Sequence, residues 1–491
     1  MVDSVNKSNI HRALIFQGGG SLGAYEAGAY KAINEELSAL LRNIGKGKEP
    51  IFHIVAGTSI GAINAAILVS YVKENKTWDG SGEWLVEFWE YLSTQSWVDN
   101  IPHFADYWDF WRKLDKRIAS GESARRYFST KEFIFRGVPN VFRPKMPTAD
   151  KRFFDPSNTW YLYDNSPLKE SLEKFAKFPI STNFENNEPR LLLVAADVQE
   201  AVPVVFDSYE KEDGTRKSQY GRYGKLKPDG STEHQPNNDN NKGFEHVIRY
   251  DDGIQADFVI ASCSVPLNYD YTRLNVENYS VVEDNNNTVA GSDDISANSS
   301  TSMRFFWDGG LLANTPLRET VVAHRDYWYR VRKLEDNIPR LKFGIINLHP
   351  AKQEHIPSDY DRVIDRMNDI TFHDRTAFDE YVTVLISDYT MLAKSIIKLA
   401  EENGVSKKKI QQILQKEAKT VDARTGELLR YDDLLKATID VDFVVRLERK
   451  NDVHTISHKT FDFSTTTIRE LIQDGYQESK EAMKKVVAEN A

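Results

Sequence analysis

The stretch Gly57-Thr58-Ser59-Ile60-Gly61 constrains the fold more than any other part of this 491-residue chain. Before it, Ile51 to Ala56 is a short apolar run that predicts a buried strand. After it, Ile60 to Val72 is apolar almost all round and predicts a buried helix. A serine at a sharp strand-to-helix turn needs unusual backbone angles and small neighbours. Gly57 and Gly61, two residues to either side, remove the side chains that would clash there. Such a turn lifts the hydroxyl out of the sheet and sets it at a helix N-terminus, where N–H groups and the helix dipole favour negative charge. G-x-S-x-G also occurs in ordinary turns; the strand before and the helix after are the context that a nucleophile demands.

A second glycine cluster precedes it. Arg12 to Gln17 reads as a first buried strand and runs into Gly18-Gly19-Gly20-Ser21-Leu22-Gly23, followed by a helix from Ala24 to Leu41 with an apolar face. Bare N–H groups at such a junction bind anions, phosphate or oxyanion. Gly18, Gly20 and Gly23 also fit the G-x-G-x-x-G dinucleotide fingerprint. That fingerprint wants a carboxylate at the end of the second strand. Here that strand ends in Val55-Ala56-Gly57 and then the serine turn, so a dinucleotide-dependent oxidoreductase loses its ribose ligand. Beside an exposed serine hydroxyl the loop makes sense as an oxyanion hole.

Composition removes other classes. Hydrophobic residues are 40% and charged residues 28%, as in a globular protein, and the net charge of −10 argues against nucleic acid as a partner. It also argues against strong overall steering to anionic lipid, while leaving room for a local basic patch. The single cysteine, Cys263, excludes an internal disulfide and reads as an inert core residue. Met1 to His11 has no apolar core of a secretory signal, and no run of about 18 apolar residues occurs, so the expected location is cytoplasmic, with membrane contact from one side at most. No metal or cofactor motif is read, and oligomerisation is left open.

Further along, Asn75 to Arg112 holds six of the nine tryptophans. It reads as a helical cap packing aromatics inward, with a lid or lipid-meeting surface as the functional alternative. Gly121 to Asn165 reads as a long irregular connection, and Leu191 to Val198 as another buried strand. Polar stretches at about 208–246 and 277–302 read as insertions. Met303 to Trp307 reads as a strand delivering Asp308-Gly309-Gly310 ahead of a helix with Pro316 at its first position. By itself Asp-Gly-Gly is usually a turn. Beyond Pro350 a separate unit is expected: helices from Arg375 to Asn403 and Ser406 to Lys419, an antiparallel pair from Val441 to Arg449 and His454 to Phe463, and a last helix opened by a capping box at Thr467. The alternation of strands and helices from Arg12 to Pro350 predicts an α/β sheet covered on both faces.

The glycine loop after the first strand, G-x-S-x-G after the second and Asp-Gly-Gly before a later helix together resemble the patatin-like phospholipase family, in the family's order and over roughly Arg12 to Leu348. The resemblance implies a three-layer α/β/α sandwich with a mainly parallel central sheet, here as a domain spanning 10–350 with an aromatic-rich cap at about 75–120. A smaller C-terminal α+β unit, helical with a β-hairpin, spans 351–491. It implies a serine acyl hydrolase acting on carboxylic esters of lipids, with Ser59 as nucleophile and Asp308 as its base. The oxyanion hole would be the backbone of Gly18, Gly19, Gly20, Ser21 and Gly23, with Gly57, Gly61, Gly309 and Gly310 as motif support. Such a dyad needs no histidine, and none of the eleven histidines lies in a triad motif; His53 reads as a core residue and His349 is the best triad candidate. One departure stands out: many members carry Arg or Lys where this chain has Leu22. The rival reading is a non-catalytic lipid- or protein-binding module that keeps the fold.

Overall fold

In the computed structural model the described residues are 10–145, 160–221, 225–226, 232–233, 244–280, 299–335, 338–354, 356–421, 428–436, 439–450 and 454–490. Parts of the two polar insertions lie outside them. Ten strands form one sheet. They are β1 (Ile10–Phe16), β2 (Ile54–Thr58), β3 (Arg190–Asp197), β4 (Val202–Asp207), β5 (Gln219–Tyr220), β6 (Phe244–Val247), β7 (Thr272–Ser280), β8 (Ser299–Asp308), β9 (Arg340–Asn347) and β10 (Val441–Glu448). The run β3-β2-β1-β9-β10 is parallel throughout. On the other side β8, β7 and β6 add antiparallel, and β4 with β5 branches from β3. The described ends of the 277–302 insertion, residues 277–280 and 299–302, are the distal part of the β7–β8 ribbon, and the return strand of that ribbon is what carries Asp308 inward.

The helices are α1 (Gly23–Asn43), α2 (Ile60–Asn75), α3 (Ser81–Leu92), α4 (Phe104–Leu114), α5 (Gly121–Arg136), α6 (Ser166–Phe175), α7 (Ala256–Ser262), α8 (Leu317–Asp326), α9 (Tyr360–Phe372), α10 (Ala377–Glu402), α11 (Lys407–Leu414), α12 (Tyr431–Leu435) and α13 (Thr465–Asn490). Two apolar cores lie on opposite faces of the sheet, as the period of two in each strand requires. Leu14, Phe16, Leu191 and Leu193 join the core under α1, α2, α3 and α13. Ala13, Ile15, Leu192 and Val194 join the one under α8 and the turn that follows it. This is the expected mixed α/β layering around a parallel centre.

Several local expectations change. Residues 121–136 are helical: the Ser120 side chain accepts from Ser123 N–H at the start, and Gly137 at φ 80° ends it. The strand at Val441 does not pair with residues 454–463; it enters the central sheet parallel to β9. Residues 454–463 form turns and a short 3-10 segment at Lys459–Phe461. The C-terminal antiparallel pair is instead Glu417–Val421 with Leu428–Arg430, and the first of these takes the end of the helix expected to reach Lys419. The last helix packs lengthwise on α1. Glycine makes that approach possible: a Cβ on Gly28 would fall 1.9 Å from the Ile472 carbonyl oxygen, and one on Gly475 2.1 Å from that of Tyr25.

The tryptophan-rich stretch divides. Trp89 is fully buried and Trp78 nearly so, in the core under α3. On α4 no residue is buried, and Tyr107, Phe110, Trp111 and Leu114 face solvent.

Candidate active site

Two strands flank β3, one on each side, and end at neighbouring positions along it. Thr58, the last residue of β2, lies opposite Val194, and Asp308, the last of β8, lies opposite Ala195. The serine turn and the Asp-Gly-Gly turn therefore leave the sheet from consecutive positions of one strand. This register is why residues 249 positions apart in sequence, Ser59 and Asp308, share one site.

Ser59 sits at φ 56° and ψ −128°, a strained conformation for a residue with a side chain. Its surroundings hold it there. Its N–H donates to Ser262 Oγ at 2.9 Å, and that hydroxyl donates to the Val194 carbonyl at 2.5 Å. Its carbonyl accepts from Ala62 and Ile63 at the start of α2 and from the Cys263 thiol at 3.0 Å. Cys263 is thus a buried prop of the turn, and burial pushes its thiol well above the usual range. The elbow glycines are dictated by space. A Cβ on Gly57 would lie 2.1 Å from the Gly61 carbonyl oxygen, and one on Gly61 would lie 2.6 Å from that of Phe16.

Asp308 is 5% exposed. One carboxylate oxygen, Oδ1, accepts from Gly310 N–H at 2.7 Å. The other, Oδ2, is buried with no partner of good hydrogen-bond geometry. Burial raises the carboxyl to about pKa 7, and the Ser59 side chain and the Gly310 N–H, which favour the charged form, offset only part of that rise. A carboxyl poised near neutrality beside a hydroxyl is suited to proton transfer. Gly309 is forced by the close approach of β3, since a Cβ there would lie 2.2 Å from the Val194 carbonyl oxygen.

The glycine loop lies against the serine turn and Asn314. A Cβ on Gly18 would reach within 2.9 Å of the Ser59 Cβ. Its N–H donates to the Asn314 carbonyl at 3.3 Å, and Gly23 N–H turns back to Gly20 and Ser21. Those two donors are therefore used internally. Among the described residues no protein acceptor takes the N–H of Gly19 or Gly20. Ser21 points its hydroxyl away, to the Lys459 carbonyl at 2.8 Å. Leu22 is 2% exposed and packs in the core, so at this position only backbone faces the loop's concavity.

A buried polar network fixes the loop's base. Gln17 N–H and the Asn64 amide donate to the two oxygens of Glu26 at 2.7 and 2.8 Å, and Trp89 Nε1 donates to Asn64 at 3.0 Å. Burial holds the Glu26 carboxyl well above the usual carboxylate range. Across the loop, the Gln17 side chain donates to Thr315 Oγ1 and accepts from the N–H groups of Leu348 and His349.

The wall beyond Gly19 is Leu348 and His349, and the wall beyond Gly20 comes from the C-terminal part, which sequence reasoning gave no role here. A Cβ on Gly20 would lie 2.5 Å from the Thr460 carbonyl oxygen, and one on Gly19 3.4 Å from His349 Nε2. His349 Nδ1 meets Asp369 at 3.1 Å, and buried Lys459 bridges Asp369 at 2.8 Å and Asp365 at 2.9 Å. Burial keeps His349 below its ordinary pKa and lowers that of Lys459. Lys459→Met is expected to cost about 3–5 kcal/mol of stability, read by urea denaturation, because two buried carboxylates lose their cation. His53, by contrast, stacks on His11 at 4.1 Å, and burial lowers its pKa to about 3, as suits a neutral core residue.

A family model described as patatin-like phospholipase matches residues 14–321, which include the glycine loop, Ser59 and Asp308. Among solved structures, the crystal structure of VipD from Legionella pneumophila is similar at 11% identity. That match covers 97% of this chain and 67% of that one, with a TM-score of 0.27. No match is found among curated proteins.

Proposed function

The chain belongs to the patatin-like phospholipase family, and on that premise we propose that it is a serine lipid acyl hydrolase working through a Ser59–Asp308 dyad. Asp308 takes the proton as Ser59 Oγ attacks the ester carbonyl, forming the acyl-enzyme through a tetrahedral oxyanion. The free N–H groups of Gly19 and Gly20 receive that oxyanion, each such donor being worth about 3 kcal/mol in the transition state. The start of α2 adds its dipole at the serine. Asp308 returns the proton to the leaving alkoxide and then activates water to release the fatty acid.

The observation that carries this reading is the buried carboxyl, raised to about pKa 7 and set beside a strained serine turn. Buried carboxyls held near neutrality cost stability, and that cost is explained when the group moves protons.

The test is labelling with a fluorophosphonate, followed by mapping of the modified residue. Labelling is expected at Ser59, and Ser59→Ala is expected to lose it together with at least about a thousandfold of ester hydrolysis, with an unchanged far-UV spectrum. Well-folded protein that takes no label in the presence of lipid would instead make the chain a lipid-binding module on the same fold.

A further inference from the structure

The helix α10 is turned inside out. Its buried residues are Ser387 and Thr390, while Phe378, Tyr381, Tyr389, Leu392, Ile396 and Leu399 are 56–72% exposed. These six lie on one side of the helix, in an arc of about 80° at 100° per residue, and run its whole 26-residue length, about 39 Å. A soluble surface rarely leaves such a continuous apolar stripe uncovered.

The charge beside the stripe selects its partner. From Lys394 to Lys419 the chain carries seven lysines against three glutamates, a net of four positive charges in a protein whose total is −10. Lys398, Lys407, Lys408, Lys409 and Lys416 are all exposed. An apolar stripe ending in a lysine cluster is the pattern of a helix lying in the plane of an anionic lipid surface. The pairing recurs on α4, where exposed Phe110, Trp111 and Leu114 are interleaved with Arg112 and Lys113. None of the described helices is long and apolar enough to cross a membrane, so the contact is interfacial.

The chain that leads into α10 passes the candidate site. The Phe372 carbonyl, at the end of α9, accepts from Asn314 Nδ2 at 2.6 Å, and Asn314 lies against Gly18. Leu311 and Leu312, just after the Asp308 turn, are 49% and 45% exposed. Exposed apolar side chains thus stand just after the Asp308 turn, and α9, which ends against Asn314, is separated from α10 by the four residues 373–376.

We propose that α10 and the lysines that follow it form an anionic-membrane docking face that presents Ser59 to lipids still in the bilayer. This rests on the lipid-hydrolase reading for its purpose. Its binding test does not.

The experiment uses full-length Ser59→Ala protein, so that vesicles stay intact, in co-sedimentation with phosphatidylcholine vesicles with and without about 30 mol% phosphatidylglycerol. Binding is expected to be about tenfold tighter to the anionic vesicles and to weaken as salt rises. Replacing Leu392 and Ile396 together by Asp is expected to weaken binding about tenfold, and replacing Lys407, Lys408 and Lys409 together by Glu to abolish the anionic preference. On the active background both variants should keep hydrolysis of a soluble short-chain ester at the parent rate. Equal binding of parent and variants, or no binding to either vesicle, would overturn the proposal. A vesicle-free dimer broken by the Leu392 and Ile396 replacements would assign the stripe to a second copy instead. Absence of soluble-ester hydrolysis in the parent would count against the dyad and leave the vesicle result standing on its own.

Discussion

Asp308→Asn is expected to slow ester hydrolysis by about a hundred- to ten-thousandfold while making the protein more stable at alkaline pH. The two effects have one cause. Burial raises the Asp308 carboxyl from 3.8 to about 7. As a general base it works only when deprotonated, so log kcat/KM of the parent should rise with unit slope as pH approaches about 7 and level off above it. Asparagine cannot accept the proton at any pH, so the variant's residual activity should lack that limb.

The stability sign follows from linkage. A carboxyl whose folded pKa is raised binds its proton more tightly in the folded state. Its favourable contribution is complete below pH 4 or so and is lost as pH climbs through about 7, where the buried charge must be carried. A neutral isostere does not carry it. At pH 8 the Asp308→Asn protein should therefore unfold with about 2–4 kcal/mol more resistance than the parent, and at pH 4 the difference should vanish. Loss of activity with gain of stability separates a catalytic role from a structural one. A variant that is both inactive and less stable at pH 8 would place Asp308 among the supports of the turn. A fully active variant would remove it from the chemistry.

How much of this was legible in the sequence depends on the range of the interactions involved. The serine turn was legible because its requirements are local: an apolar strand, two glycines and an apolar helix within some twenty residues. Gly57 and Gly61 are needed by contacts that arise within that same short segment and the strand beside it. The α5 helix had local signals too, Ser120 before it and Gly137 after it, but its mixed polar and aromatic pattern hid the period. What sequence could not supply was register. That Thr58 and Asp308 end at neighbouring positions of β3 depends on pairing between segments far apart. The same holds for the donors in the glycine loop. Which of them are spent on Asn314 or on the loop itself is a three-dimensional fact: of five candidates Gly18 and Gly23 are spent, and Gly19, Gly20 and Ser21 keep backbone N–H groups with no acceptor among the described residues. Cys263 looked inert from its apolar surroundings; only the fold sets it against the Ser59 carbonyl.

The C-terminal part shows the same limit on a larger scale, and it yields the largest expected effect on folding. Sequence alone marks a boundary near Pro350, and the family model ends at residue 321, so a chain cut after Pro350 looks like a complete enzyme. We expect that fragment not to fold. It would lose β10, which covers the β9 edge of the sheet, leaving the Val445 and Leu447 positions of the main core empty. It would lose α13, whose Ile468, Leu471 and Met483 are buried in that core. It would also bare the face of α1 that glycine keeps open for close packing. Each large apolar side chain removed from a core forfeits about 1.5–3 kcal/mol, so these five alone approach 10 kcal/mol against a total stability of about 5–15. The Arg449 guanidinium bond to the Leu348 carbonyl and the Thr460 wall behind Gly20 go with them. The fragment 1–350 should therefore be recovered as aggregate, or as a dye-binding species without a cooperative thermal transition. Gly475→Leu in the full chain should reproduce a milder form, since a first side-chain carbon there already overlaps the Tyr25 carbonyl oxygen at 2.1 Å. A monodisperse, cooperatively melting 1–350 fragment that still takes a fluorophosphonate at Ser59 would make the C-terminal part an accessory. Failure of both variants would make it the second half of a single folding unit, built into the wall of the site it helps to form.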